Sequence, residues 1–516
     1  MRKSIKPKSR QNLEDVEAIF DDFIRFSNMS FQELQAYADE HPYQLDWLEL
    51  GPISMASNGR FWALTDRELE SHPERGDLDR STLNQAIRRQ FEEMIQVARV
   101  IDQPFVDRML ARAIKRSREQ HKSKTYYLPC VLVGDRDPRE FKIGPVRFIH
   151  RDKFFSDYAE TIERDLAEQA AERRAEAKNF AAEKKYPTLP SDEEWDRREQ
   201  MTFDSVTGYY KGHRWVAEVT IPPCDERVSR RRAELIVQAA LDILKIFLGS
   251  GRGKGLRLAT EPGVPEKHAD LRRDENGRFE WTLHYGGEWA LVEDGWFDQI
   301  NDIYAAELNA AGQAIETYLH GREPTELATR WLDALHWYGQ GVSERNTSAQ
   351  IVKYVAALER LSITRKRDDG LLSDTVSRRT ALFATRGDRE ALPTELSEAR
   401  KLYDWRSSFM HGRSSPVAKD QLRSRQIKSA MHRAEDLLRS ALFGALAVYG
   451  QLILNGKSTG KHLEQRLHEL EVVFGLVKPA GFIGRLLALT SRSWRRLLKR
   501  DRPRSTANNT RRSGSQ

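Results

Sequence analysis

The residues predict an α+β domain over 1–296, an all-α helical bundle over 297–460 and a basic C-terminal segment over 461–516. Three observations carry that reading. Helix-type and strand-type patterning alternate through the first 300 residues without a repeat period, strand signals stop at about Phe297, and positive charge gathers at the C-terminal end. At 516 residues the chain exceeds what one hydrophobic core supports, and 39% apolar residues with eleven Trp supply material for more than one.

In the first domain, Ser81 to Ile101 places Leu83, Ile87, Phe91, Met94, Ala98 and Ile101 at intervals of three and four, the spacing of a core-facing helix. "TYYLPCVLVG" (Thr125 to Gly134) and "EFKIGPVRFI" (Glu140 to Ile149) are β-branched and aromatic, bounded by Gly, Asp and Pro, and read as two strands joined through "DRDPR". "RWVAEVTI" and "FEWTLHY" add strands. Tyr158 to Lys185 is rich in Ala, Glu, Arg and Lys with a thin apolar stripe, so it reads as a long solvated helix ending before Pro187.

"GSGRGKG" (Gly249 to Gly255) invites comparison with a phosphate loop. That loop needs GxxxxGK followed by Ser or Thr, between a strand and a helix, so that amides surround the phosphates. Here the spacing is short, Gly255 replaces the hydroxyl residue, and the segment leaves a helix for a strand, so a flexible turn is expected.

The bundle is a run of helical segments separated by Gly, Pro, Asp and Thr: "FDQINDIYAAELNAAGQAIETYL", "TELATRWLDALHWYGQ", "SAQIVKYVAALERL", "DTVSRRTALFAT", "TELSEARKLYDWRSSFMH" and "SRQIKSAMHRAEDLLRSALFGALAVYGQLIL". The apolar run from Ser440 to Leu454 falls short of the roughly 20 residues a bilayer span needs, and reads as a buried core helix. Trp331, Trp337 and Tyr338 read as core, and His336 as a packing or surface residue.

The formal charge is +7, but residues 476–516 hold eleven Lys and Arg against one acid, giving +10 and leaving 7 − 10 = −3 for the rest. The basicity belongs to the tail. "GFIGRLLALTSRSWRRLLKR" wound as a helix sets Ile483, Leu486, Leu487, Thr490, Trp494, Leu497 and Leu498 opposite Arg485, Arg492, Arg495, Arg496 and Lys499. Three roles fit such a helix: nucleic-acid phosphate binding, peripheral membrane contact, or docking onto the body. The sixteen residues after it have little to bury and are expected to be disordered. Cys130 and Cys224 lie in no CxxC or Cys/His cluster, which suggests neither a disulfide framework nor structural zinc, and points to a reducing compartment. The basic amino terminus lacks the apolar segment of a signal peptide, so a cytoplasmic location is expected.

Arginine and histidine spaced R-x4-H occur three times: Arg67 with His72, Arg116 with His121, and Arg406 with His411. The first two sit in polar contexts and read as solvent-facing. The third lies on a helix with two faces. Leu402, Trp405 and Phe409 can bury one side, while Tyr403, Ser407 and His411 line another with Arg406 beside them. Gly412 suits the C′ position, so His411 should end the helix. RNA brings its own nucleophile, the 2′-hydroxyl. Cleavage then needs a proton-transfer group working near neutral pH, which histidine supplies, and a fixed positive charge on the phosphate, which arginine supplies. That chemistry requires no metal or other cofactor, which fits the lack of an HExxH motif or carboxylate cluster.

The segment "LYDWRSSFMHG", together with "RWLDALHWYGQG", "YVAALERL" and "HRAEDLLRSALFGAL", resembles the HEPN superfamily, and most the Apea-like HEPN branch of prokaryotic antiviral defence, over about Thr325 to Leu454. The resemblance implies a toxic endoribonuclease, a hydrolase of abortive infection, whose homodimer brings two R-x4-6-H motifs into one cleft. It assigns Arg406 to phosphate binding and transition-state stabilisation and His411 to proton transfer. Ser407 stands where many members have Asn, Asp or His, and its hydroxyl is expected to orient His411; Tyr403 and Glu359 are supporting residues. Arg413, Arg492, Arg495, Arg496 and Lys499 are candidates for RNA contact. The N-terminal domain would hold the nuclease quiet until an infection-linked signal arrives. The alternative is a catalytically silent bundle that binds nucleic acid or a partner protein as an adaptor, and DNA is a further candidate target.

Overall fold

The computed structural model describes residues 8–96, 100–134, 138–184, 190–261, 267–273, 279–285, 292–320, 325–364, 372–413 and 421–477. The chain divides into two compact units, residues 1–126 with 220–233, and residues 127–219 with 234–516. The change from mixed to helical structure falls where expected, since from Trp296 onward every described element is a helix.

The first unit begins with α1 (Lys8–Ser27), α2 (Phe31–Glu40), the antiparallel pair β1 (Leu45–Leu48) and β2 (Gly51–Ser54), α3 (Met55–Ser71), α4 (Arg80–Ile95) and α5 (Gln103–Glu119). Local chemistry sets the starts. Ser30 and Glu33 form a capping box on α2, Asp79 accepts the Ser81 and Thr82 amides of α4, and Asp102 caps α5 with Pro104 in the first turn. Val16, Ile19, Phe61, Leu64, Leu83, Ile87, Phe91, Val106 and Met109 fill the core between them. Leu83, Ile87, Phe91 and Met94 are buried as their spacing predicts, but α4 stops at Ile95 instead of reaching Ile101. Asp102 caps a new helix there, Ile101 packs on the same core from outside α4, and Ala98 lies outside the described residues.

The second unit holds most of a five-stranded sheet ordered β4-β5-β6-β3-β7: β3 (Lys122–Val131), β4 (Phe141–Ile143), β5 (Val146–His150), β6 (Trp215–Cys224) and β7 (Arg257–Leu258). "EFKIGPVRFI" is therefore a hairpin, not one strand. Gly144 and Pro145 form its turn, with Ile143 opposite Val146. Nor is β3 paired to β4; its neighbours are β6 and β7, a pairing between residues far apart in sequence that local pattern does not encode. Between β5 and β6 come α6 (Arg151–Lys184) and α7 (Asp192–Lys211), the former as solvated as its composition predicts.

The helix α8 (Glu226–Gly253) kinks at Gly249, whose φ is +69°, and "GSGRGKG" is mostly the helical piece beyond the kink rather than a flexible turn. Both broken ends are capped from one helix of the bundle. Glu435 accepts the Ser250 amide at 2.5 Å, while Arg439 donates to the Ile246 and Phe247 carbonyls at 2.6 and 3.2 Å. An antiparallel ribbon, β8 (Lys267–Arg273) with β9 (Phe279–Tyr285), precedes the bundle and includes the expected "FEWTLHY" strand.

The bundle consists of α9 (Trp296–His320), α10 (Glu326–Ser343), α11 (Thr347–Ser362), α12 (Leu372–Thr385), α13 (Leu392–Met410), α14 (Gln421–Leu454) and α15 (Gly460–Val473). Trp331 and Tyr338 are core, as expected; Trp337 is not, being 40% exposed one position along the helix. The Trp331 indole donates to the Leu442 carbonyl at 3.0 Å and the Tyr449 hydroxyl to the Leu361 carbonyl at 2.7 Å, so the large core side chains also satisfy their polar ends. α14 is the one described helix long and apolar enough to cross a membrane, and half of its most apolar window is buried inside the protein. α15 joins the bundle through buried Leu463 and Leu467 and an ionic contact of Arg379 with Glu464 and Glu471; residues 461–473 thus belong to a packed helix rather than to the tail. The basic helix expected over 481–500 lies outside the described residues.

Candidate active site

The end of α13 is built by a backbone motif. Gly412 takes φ +65°, its amide donates to the Phe409 carbonyl at 3.2 Å, and the Arg413 amide donates to the Ser408 carbonyl at 2.8 Å. This 6→1 and 5→2 pattern is a Schellman ending, which leaves His411 as the C-cap residue where the sequence placed it. His411 and Arg413 are both exposed.

One turn back, three expected residues meet. Arg406 faces Glu359 of α11 at 3.7 Å, and its guanidinium lies 5.7 Å from the centre of the Tyr403 ring. Glu359 Oε1 is buried and accepts no hydrogen bond. Burial, and then the Glu359 charge, push the Tyr403 hydroxyl above its ordinary range, with Arg406 opposing. The cluster is a cation held beside a carboxylate with acceptor capacity left over.

His411 and Ser407 are placed differently from expectation. The contact between them is backbone, the His411 amide donating to the Ser407 carbonyl at 3.0 Å, so the Ser407 hydroxyl does not orient the imidazole. Within the chain no hydrogen bond, ion pair or ring contact joins His411 to Arg406. Five residues on a helix turn through about 500°, which leaves the two side chains about 140° apart around the axis. Leu402, one turn before Arg406, is buried, and Trp405 and Phe409 stack at 5.5 Å, half-buried. Arg492, Arg495, Arg496 and Lys499 lie outside the described residues.

The other two R-x4-H pairs are separate structural features, part-exposed and tied into local contacts. Arg67 is tied to Asp15 at 2.5 Å and Asn12 at 2.8 Å, and His72 Nδ1 accepts the Glu74 amide. Arg116 pairs with Glu93, while His121 is half-buried and its pKa is lowered by that burial.

Sequence reasoning missed a second polar cluster. Asp242 and Lys245 on α8 are each 1% exposed and 2.9 Å apart; the ammonium also reaches Ser343 at 3.2 Å, and His336 stands 4.0 Å from the carboxylate. The signal was present as two charges inside the apolar run "LDILKIFL". Among the described residues no three of His, Cys, Asp and Glu are placed to hold a metal ion. A scan against protein-family models, a search of curated proteins and a search of solved structures each found no match.

Proposed function

We propose that the chain is an endoribonuclease of the HEPN type, acting as a homodimer, that cuts RNA through the substrate's own 2′-hydroxyl and needs no metal for that step. Arg406 binds the scissile phosphate and stabilises the charge that develops on it; His411 moves the proton. The observation that carries the reading is the end of α13, where an exposed histidine caps the helix five residues after an arginine seated among Glu359 and Tyr403. The angular separation of the two side chains favours a cleft made by two copies, each supplying what the other's geometry leaves out of reach. A cytoplasmic toxic effector of antiviral defence, restrained by its N-terminal region, is the setting that accounts for a large companion domain beside such an activity.

The test is incubation of wild type, Arg406→Ala and His411→Ala with total cellular RNA in EDTA, followed by analysis of fragment ends. Cleavage by the wild type alone, leaving 2′,3′-cyclic phosphates and falling at least ~100-fold in either variant, is expected. Cleavage that survives in both variants would overturn the site.

A silent, RNA-binding or protein-binding adaptor is the second reading. It is favoured by the Glu359 carboxylate already facing Arg406, and by the absence of any described partner to fix the His411 tautomer. An inert wild type whose RNA affinity is unchanged by His411→Ala would select it.

A further inference from the structure

Most cations of the bundle are spoken for. Arg330, Arg360, Arg379, Arg400, Arg433 and Arg439 each hold a carboxylate or a backbone carbonyl. Such pairing leaves little charge for an outside ligand, and it is the usual state of a charged helical surface.

The region where α13 hands over to α14 is an exception, as are Arg345, Lys457 and Lys461 elsewhere in the bundle. Arg413 just past α13, and Arg425 and Lys428 on the first turns of α14, are exposed, and none has an ion pair or side-chain hydrogen bond among the described residues. Asp404 is the exposed acid of the neighbouring α13 turn, and no ion pair joins it to any of the three. Arg425 and Lys428 are spaced i, i+3 and so share a face. Ile427 and Met431 of the same stretch are buried.

Their position relative to the candidate site follows from one contact. Arg433 of α14 meets both Glu395 and Glu398 of α13, at 3.1 and 3.6 Å. The link between the helices is about ten residues, so α14 returns along α13, and stepping back two turns from Arg433 brings Lys428 and Arg425 to the level of Leu402 to Arg406. Three unpaired cations thus lie beside the stretch of α13 that carries Arg406 and leads to His411.

We infer that Arg413, Arg425 and Lys428 form a phosphate track that binds a single RNA strand and leads it to Arg406 and His411. The inference rests on the ribonuclease reading and extends it to residues on a second helix. A membrane surface is disfavoured because the exposed neighbours, Ser424, Gln426 and Ser429, are polar and supply nothing to insert among acyl chains. A strand of phosphates is what a row of unpaired cations fits, with Met410 the large apolar side chain exposed near Arg413.

The test uses the full chain carrying His411→Ala, so that RNA is bound without being cut, and a fluorescein-labelled 20-nucleotide single-stranded RNA read by anisotropy across a salt series. A second protein adds Arg413→Ala, Arg425→Ala and Lys428→Ala. A third, matched for charge, adds Arg345→Ala, Lys457→Ala and Lys461→Ala, three exposed bundle cations that also lack a side-chain partner. Each phosphate contact on a single strand contributes ~0.7 to the slope of log K against log salt, so losing three should flatten that slope by about 2 in the track variant and leave the charge-matched control unchanged. Equal losses in both variants, no loss in either, or no RNA binding by the His411→Ala protein would overturn the track. The ribonuclease reading is judged separately. If wild-type cleavage persists at full rate in the Arg413, Arg425, Lys428 triple variant, the track fails and the active site stands.

Discussion

Arg406 carries a counter-ion of its own. Glu359 sits 3.7 Å away, too far for a hydrogen bond, with one oxygen buried and unfilled, so the pair contributes little to stability but fixes where the guanidinium points. Glu359→Gln should therefore shift the melting temperature by no more than a degree or two while lowering single-turnover RNA cleavage at least ~10-fold; a full-rate variant would show that Arg406 positions itself. At this scale the sequence was informative wherever a residue answers to backbone geometry alone. Gly412 announces a left-handed C′ position, and the C-cap role of His411 follows from it. It was uninformative about Ser407, whose side chain could reach several partners and whose carbonyl is the group in use.

The helices of the bundle are set by how closely their backbones approach. Ala in place of Gly444, in the middle of α14, would ordinarily gain up to ~1 kcal/mol of helix propensity. Here the added Cβ would lie 1.9 Å from the Phe383 carbonyl oxygen of α12. Overlap with backbone cannot be relieved by a rotamer change, so Gly444→Ala should destabilise by about 1–3 kcal/mol, read from denaturant unfolding at constant m-value. Glu435 works at the same scale, since it caps the second piece of α8 across the Gly249 kink. Glu435→Ala leaves the Ser250 amide without an acceptor and removes a 5% exposed carboxylate from beside the Arg439 guanidinium, and should cost about 3 kcal/mol. A cost below ~1 kcal/mol would mean that water takes over the cap. Helices with dense apolar stripes, such as α10 and α11, were legible in the sequence. α15 was not, because Glu464 and Glu471 make its stripe look polar until Arg379 is seen opposite them.

For the molecule as a whole, the proposed function demands association. The chain has a mass of 59.6 kDa, so a homodimer has 2 × 59.6 = 119.2 kDa, the value expected from sedimentation equilibrium at micromolar concentration. A strictly monomeric wild type that nevertheless cuts RNA through His411 would remove the two-copy cleft. The two compact units have boundaries at 126/127, 219/220 and 233/234, inside β3, β6 and α8. No loop composition marks those positions, which is why a division at 296/297 is what the sequence suggests: it follows a change in patterning, whereas compactness follows contacts.

By itself the sequence determined the order and type of most elements, the mixed-then-helical architecture and the helix end at His411. These depend on periodicities of two and 3.6 and on capping chemistry, interactions within a few residues that local spacing records. Only the tertiary structure decided that β4 and β5 form a hairpin beside β6, that α8 is capped by α14, that Asp242 and Lys245 are buried against Ser343, and that Arg406 faces Glu359 while His411 stands apart from both. Each of those depends on groups tens to hundreds of positions apart, brought together by burial and by the need to satisfy charge in the interior, and no local pattern specifies which partner is chosen.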